Sequence, residues 1–270
     1  MLTALVNNIK KPAVQTEKIE APFYCPYCLG EVGLRKGTKK IHHFYHVKEN
    51  PDCLITNESE IHLRIKYEMY NHFINQPNCK KCEPERILKR TINNIQKCVI
   101  PDISLYINDI PVAIEIQNSK ISYEIIQQRM EIYNEMGIYV LWVLTSSSPS
   151  VDYVKRYEKD KFEYHNLKDW EKYLYDLYFH RLYYWQEKTT VKAFHFKKDT
   201  IKHDGGDFGP DYEYAAKKRA SFIPYPDNLI IEKDFIKIQK YPRRVDLSYG
   251  PVIIPKVKVY KDKNTKWWDD

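Results

Sequence analysis

The stretch 101–122, PDISLYINDIPVAIEIQNSKIS, decides how the rest of the chain is read. Apolar residues alternate in DISLYI and again in PVAIEIQ, and Asn108-Asp109 stands between them. Alternation at period two around an Asn-Asp pair predicts a β-hairpin. A hairpin needs no acid inside either strand, yet Asp102 opens the first and Glu115 sits between Ile114 and Ile116 in the second. Strand periodicity puts Ala113, Glu115 and Gln117 on one face. An acid on each of two paired strands is a pattern suited to a hard divalent cation.

Working outward, the next segment SYEIIQQRMEIYNEMG reads as a helix capped by Ser122 and ended by Gly137. IYVLWVL is continuously apolar, as expected of a strand covered on both faces. Upstream, apolar Ile61, Ile65, Met69 and Phe73 repeat every four residues and predict a helix, with Asn57 as N-cap and Glu60 as its capping-box partner. Glu58, His62 and Lys66 form a second ridge on that helix, beside the apolar stripe. The order from 57 to 150 is therefore helix, strand, strand, helix, strand, an α/β core. Glu58, Asp102, Glu115 and Gln117 are its candidate catalytic set. Asp102 and Glu115 are the candidate Mg²⁺ or Mn²⁺ ligands, and Gln117 is placed to orient an attacking water.

Residues 23–46 read FYCPYCLGEVGLRKGTKKIHHFYH. The spacing C-x2-C-x14-H-x2-H offers two pairs of zinc ligands, Cys25 with Cys28 and His43 with His46. His42 or Cys53 could replace one histidine, and Cys79 and Cys82 form a second C-x2-C that could complete a four-cysteine site. Metal is favoured over disulfides if the chain is cytoplasmic. That location is the expectation, because 1–15 lack a signal-peptide core and no apolar run is long enough to cross a membrane.

After residue 150 the pattern changes. The chain carries 18 basic and 16 acidic residues in 1–150, against 25 and 20 in 151–270, and 14 of its 23 tyrosines lie in the second part. Tyrosines among lysines suit single-stranded nucleic acid, in which bases stack and phosphates meet charge. LKDWEKYLYDLYFHRLYYW reads as helical, TVKAFHF as a strand, KHDGGDFGPD as a loop, and NLIIEKDFIKI and PVIIPKVKVY as short strands or helices. Three regions are expected: a zinc-binding-like module over 1–56, the core over 57–150 and an α+β C-terminal region over 151–270.

Pro101-Asp102 and Glu115-Ile116-Gln117 resemble the PD and E-x-K elements of the PD-(D/E)XK nuclease superfamily, with Gln in place of Lys. With MLTAL, FYCPYC, HFYH, ESEIHLRIK, IEIQNS, Arg129 with Tyr133, YVLWVL, LYFHRLYYW and VKAFHF, the chain resembles the competence protein CoiA family over about 1–200. The resemblance implies a restriction-endonuclease-like fold and a role in natural transformation. It also implies action on incoming single-stranded DNA and a link to a RecA-type recombinase. His62, Lys66 and Arg129 are then candidate substrate-binding residues, and His62 or Lys66 could supply the positive charge that Gln117 lacks.

Overall fold

In the computed structural model, described residues are 1–38, 40–55, 58–92, 94–151, 153–157, 160–203, 209–210, 212–224 and 226–264; within 153–164, 197–203 and 212–222 only the backbone course is described. The fold is mixed α/β and mostly sheet. An antiparallel N-terminal sheet holds β1 (Thr3–Val6), β2 (Ile9–Pro12), β3 (Phe23–Tyr24), β4 (Glu31–Arg35) and β5 (His43–His46), in the order β2-β1-β3-β4-β5. It encloses a core of its own around Ala4, Val6, Phe23, Val32 and Phe44.

The second part starts with α1 (Glu60–Phe73), followed by β6 (Cys79–Pro84), the small hairpin β7 (Leu88–Ile92) and β8 (Ile95–Val99), β9 (Ile103–Ile107) and β10 (Ile110–Gln117). Then come α2 (Tyr123–Glu135) and β11 (Tyr139–Leu144). Asn57, the expected cap of α1, lies outside the described residues. Ser59 caps the helix, its hydroxyl accepting from the His62 amide at 3.3 Å. Leu63, Ile65, Met69 and Phe73 are buried under α1. Each such side chain contributes roughly 1.5–3 kcal/mol of apolar burial.

β9 and β10 pair from Ile107↔Ile110 to Ile103↔Ile114. Asn108 and Asp109 both take positive φ, 49° and 62°. That is the two-residue turn whose twist matches the strands it joins. β10 runs parallel to β11, with Glu115 opposite Trp142. Parallel neighbours require a crossover, and α2 supplies it, capped by Ser122 and closed by Gly137 at φ 76°.

The chain continues through β12 (Tyr153–Tyr157), β13 (Asp160–His165), α3 (Asp169–Leu177), β14 (Leu182–Glu187), β15 (Thr190–His203), β16 (Tyr212–Pro224), β17 (Leu229–Ile230) and the short α4 (Ile231–Asp234). It ends with β18 (Phe235–Lys240), the hairpin β19 (Arg243–Leu247) and β20 (Gly250–Ile254), and β21 (Val257–Asp262). β14 and β21 both pair with β11, so the sheet runs without a break across residue 150, in the order β12-β13-β16-β15-β14-β11-β10-β9-β6. One core spans α1, β9–β11, α2, α3 and the strands that follow.

The helix read through 167–185 stops at Leu177. Phe179 and His180 turn with positive φ, and LYYW becomes β14, buried on the sheet. Of the expected loop KHDGGDFGPD, 204–208 and 211 lie outside the described residues. No described helix is long and apolar enough to cross a membrane.

Asp109 holds a left-handed conformation that costs an L-residue roughly 1–2 kcal/mol, and its exposed pair with Lys80 is worth little. Asp109→Gly is expected to raise unfolding stability by about 0.5–1 kcal/mol, read by chemical denaturation.

Candidate active site and metal centres

Glu58, His62, Lys66, Asp102, Glu115, Gln117 and Arg129 all line one cavity of about 490 Å³. Four elements position them. α1 carries His62 and Lys66 one turn apart, Asp102 immediately precedes β9, the end of β10 carries Glu115 and Gln117, and α2 carries Arg129; Glu58, expected on the helix with His62 and Lys66, stands just before its cap Ser59.

The centre of the site is an ammonium group. Lys66 is 1% exposed. Its Nζ donates to Glu58 Oε1 and to Glu85 Oε1 at 3.1 Å, and lies 3.0 Å from Asp102 Oδ1. Burial disfavours the charged amine, but Glu58, Asp102 and Glu85 outweigh it and hold the Lys66 pKa well above the usual lysine range. His62 Nε2 lies 2.7 Å from the same Asp102 oxygen and 3.4 Å from Glu58 Oε1. Burial opposes its protonation, and Asp102 and Glu58 override that and raise its pKa. The other Asp102 oxygen accepts the Ile116 amide at 2.8 Å. Against the cost of burial, Lys66 and His62 hold Asp102 ionised well below the ordinary aspartate range.

Glu115 is also buried, and burial raises its pKa against the pull of Arg129. Its Oε1 accepts from Arg129 Nε at 2.9 Å, from Arg129 Nη2 at 2.5 Å and from Tyr133 at 2.5 Å. Arg129 also donates to the Ile100 carbonyl at 2.8 Å. Arg129 and Tyr133 lie one turn apart on α2, so one face of that helix fixes the Glu115 carboxylate. Gln117 turns its amide back onto its own loop, donating to the Ser119 carbonyl at 2.5 Å. Glu58, His62 and Asp102 each offer a ligand atom within 4.8 Å of the others. Glu115 is outside that group.

Glu85 has no counterpart in the sequence reading. It stands in the turn after Pro84 with φ 53°, and no periodicity marks it. Besides Lys66 it accepts the Leu2 amide at 2.7 Å, the Thr3 amide at 3.1 Å and the Thr3 hydroxyl at 2.9 Å. It therefore joins the N-terminal sheet to the site. Lys66 and these donors outweigh burial and bring Glu85 down to about 2.

The second cluster lies in the N-terminal sheet. Cys25, Cys28, His46 and Cys53 place their ligand atoms within 4.8 Å of one another. The turn 25–30 closes with Cys25 N donating to Gly30 O at 2.8 Å. A Cβ on Gly30 would lie 3.3 Å from Cys28 Sγ and 3.9 Å from the His46 ring, so a side chain there would crowd the cluster. His43, expected as a ligand, is outside it, with Nδ1 2.7 Å from the Ile41 carbonyl. Residues three apart on a strand point to opposite faces, so β5 cannot turn both His43 and His46 to one centre. Cys53, the alternative, takes the fourth place. Cys79 and Cys82 lie on β6, against the larger core. Burial pushes the Cys53 thiol up to about 12. Three thiols and an imidazole form a Cys3His donor set that could bind zinc.

The nuclease-like domain model of competence protein CoiA matches residues 58–202, more than half the chain, and the CoiA N-terminal domain model matches 6–56. The chain belongs to the competence protein CoiA family. Over 135 residues it is 33% identical to competence protein CoiA of Bacillus subtilis (strain 168), an alignment covering 49% of this chain and 34% of that one. The chain thus spans about a third of the length of this CoiA relative. The two clusters divide between the two CoiA matches. The Cys3His set lies within 6–56, and Glu58, His62, Asp102 and Glu115 lie within 58–202.

Three outcomes test this geometry. Lys66→Met leaves three carboxylates without their shared cation and is expected to lower stability by about 3–5 kcal/mol. In the wild type, Glu85 ionises well below its ordinary value near 4.5. Its contribution is complete above pH 4.5 and is lost as pH falls towards 2, so denaturation midpoints should drop across that window and far less steeply in Lys66→Met. For the cysteine cluster, zinc content measured by mass spectrometry should fall in Cys53→Ser and stay near wild type in His43→Ala.

Proposed function

We propose that the protein is a metal-dependent nuclease acting on DNA in natural transformation, built on a PD-(D/E)XK-type core. The observation that carries this reading is that Asp102 and Glu115, at the ends of paired strands, line one cavity with Glu58, which precedes α1, and the α1 residues His62 and Lys66. The family match to a nuclease-like domain supports it.

The donor set suits a hard divalent cation. Asp102 and Glu58 offer oxygens, and Glu58 Oε2 is buried without a hydrogen-bond partner among the described residues, 3.5 Å from the Met1 ammonium. Mg²⁺ or Mn²⁺ held there, with Glu115 near by, would acidify a bound water and neutralise phosphate charge. Lys66 serves as the cation that Gln117 cannot be, placed on the helix rather than two residues after Glu115. His62, held towards its protonated form by Asp102, is suited to giving a proton to a leaving oxygen. Arg129 acts through Glu115, fixing the carboxylate that faces the cavity.

A second reading rests on a different observation. Lys66 and His62 already pair with Asp102, and Arg129 with Glu115, so both strand acids have charge partners without any metal. A protein of that kind would bind single-stranded DNA and assist a RecA-type recombinase without cutting. Incubation with Mg²⁺ or Mn²⁺ on single-stranded, duplex and branched DNA separates the two. The nuclease reading expects cleavage that EDTA stops, with Asp102→Asn slower by on the order of 100-fold or more in protein that circular dichroism shows to be folded. Salt-sensitive binding with no cleavage on any substrate leaves the second reading and overturns the first.

A further inference from the structure

Three tyrosines form a ladder from the core to the surface beside the cavity. Tyr173 is fully buried on α3. Its ring lies 5.7 Å from that of Tyr123, and the Tyr123 ring lies 5.6 Å from that of Tyr249, tilted by 33°. Tyr249 is 60% exposed, so the ladder ends with one ring open to solvent. An exposed tyrosine on a mobile tip would mean little. This one sits in the two-residue turn of the β19–β20 hairpin, and that turn is fastened. Ser248 donates its amide to Asp169 Oδ1 at 2.9 Å and its hydroxyl to Asp169 Oδ2. Val245, Leu247 and Ile254 anchor the hairpin in the main core.

The position of the ladder gives it a use. Tyr123 is the first residue of α2, directly after the loop that walls the cavity through Asn118, Ser119 and Ile121. Lys120 stands in that loop with its side chain exposed. From cavity to ladder, the surface therefore presents a site for phosphate chemistry, an exposed cation and an open aromatic ring. The hairpin lies beyond residue 202, outside both matched family domains.

We propose that Tyr249 is a stacking platform for an unpaired nucleobase, with Lys120 meeting the adjoining phosphate, so that this surface holds single-stranded DNA at the mouth of the cavity. The proposal rests on the DNA reading above and assigns the hold on an unpaired strand to named residues, one of them outside both matched domains. In a duplex both faces of each base are already stacked, so only an unpaired base can cover the ring. Stacking is tolerant of sequence, because every base has a face.

The test uses the whole chain in EDTA, with fluorescence anisotropy on a labelled thymidine oligonucleotide, an abasic phosphodeoxyribose oligomer of equal length and a duplex. Tyr249→Ala is expected to bind the thymidine strand about 5- to 150-fold more weakly, the fold-change equivalent to ~1–3 kcal/mol per stacked base. Tyr249→Trp should bind as well as wild type or better. On the abasic oligomer wild type and Tyr249→Ala should be equal, and Lys120→Ala should reduce the salt slope by about 0.7 on both single strands. Equal affinity of wild type and Tyr249→Ala for the thymidine strand overturns the platform and leaves the DNA reading standing. So does an equal loss on the abasic oligomer, which would trace to folding or charge. Absence of wild-type binding to all three ligands overturns both.

Discussion

The buried ammonium of Lys66 is the constraint on which the site depends. A lone charge in a protein interior is strongly disfavoured, and a buried pair tolerates its desolvation only when every partner is in place. Lys66 meets Glu58 before α1, Glu85 in the turn after β6 and Asp102 just before β9. Glu85 in turn accepts three hydrogen bonds from Leu2 and Thr3. Segments distant in sequence are thereby drawn to one point by the requirement to neutralise one charge and hydrogen-bond its carboxylates. The same requirement fixes Asp102 in its ionised form, where it can ligate a cation or hold His62.

The carboxylate on the other strand is governed differently. Glu115 belongs to α2, through Arg129 and Tyr133. The crossover that lets β10 and β11 run parallel also carries the clamp on Glu115. Two acids that the hairpin places together are thus held by different helices, one by the helix before it and one by the helix after it. This division separates a strongly acidic Asp102 from a Glu115 whose pKa burial has raised. Environments that push two carboxylates apart are a recurrent basis for assigning them different tasks.

The N-terminal sheet solves a different problem. Its own core is small and built on short strands. Four ligand-bearing side chains converge at one end of it, and a bound metal there would add stability that so little apolar surface supplies weakly. Its link to the rest of the protein is partly polar, through Glu85, which places the Cys3His cluster and the carboxylate cavity in one framework.

Much of this was legible in the sequence, because it is local. The hairpin and its Asn-Asp turn, the caps at Ser122 and Gly137, the apolar β11 and the pairing of His62 with Lys66 on one face of α1 all follow from periodicity and turn chemistry. The C-x2-C knuckle was legible for the same reason. What the sequence did not determine are choices made over distance. Cys53 rather than His43 completes the cysteine cluster, because a strand turns His43 away from His46 and a separate turn brings Cys53 in. Glu85 stands in an irregular turn with no pattern around it, and only the packing of the first strand against Lys66 gives it a role. LYYW is a strand because β11 offered it an edge at Leu144↔Tyr184, after positive φ at Phe179 and His180 had ended the helix. Local pattern set the elements and the residue types of the site. The tertiary structure decided which charges meet, because neutralising a buried ion depends on who arrives beside it.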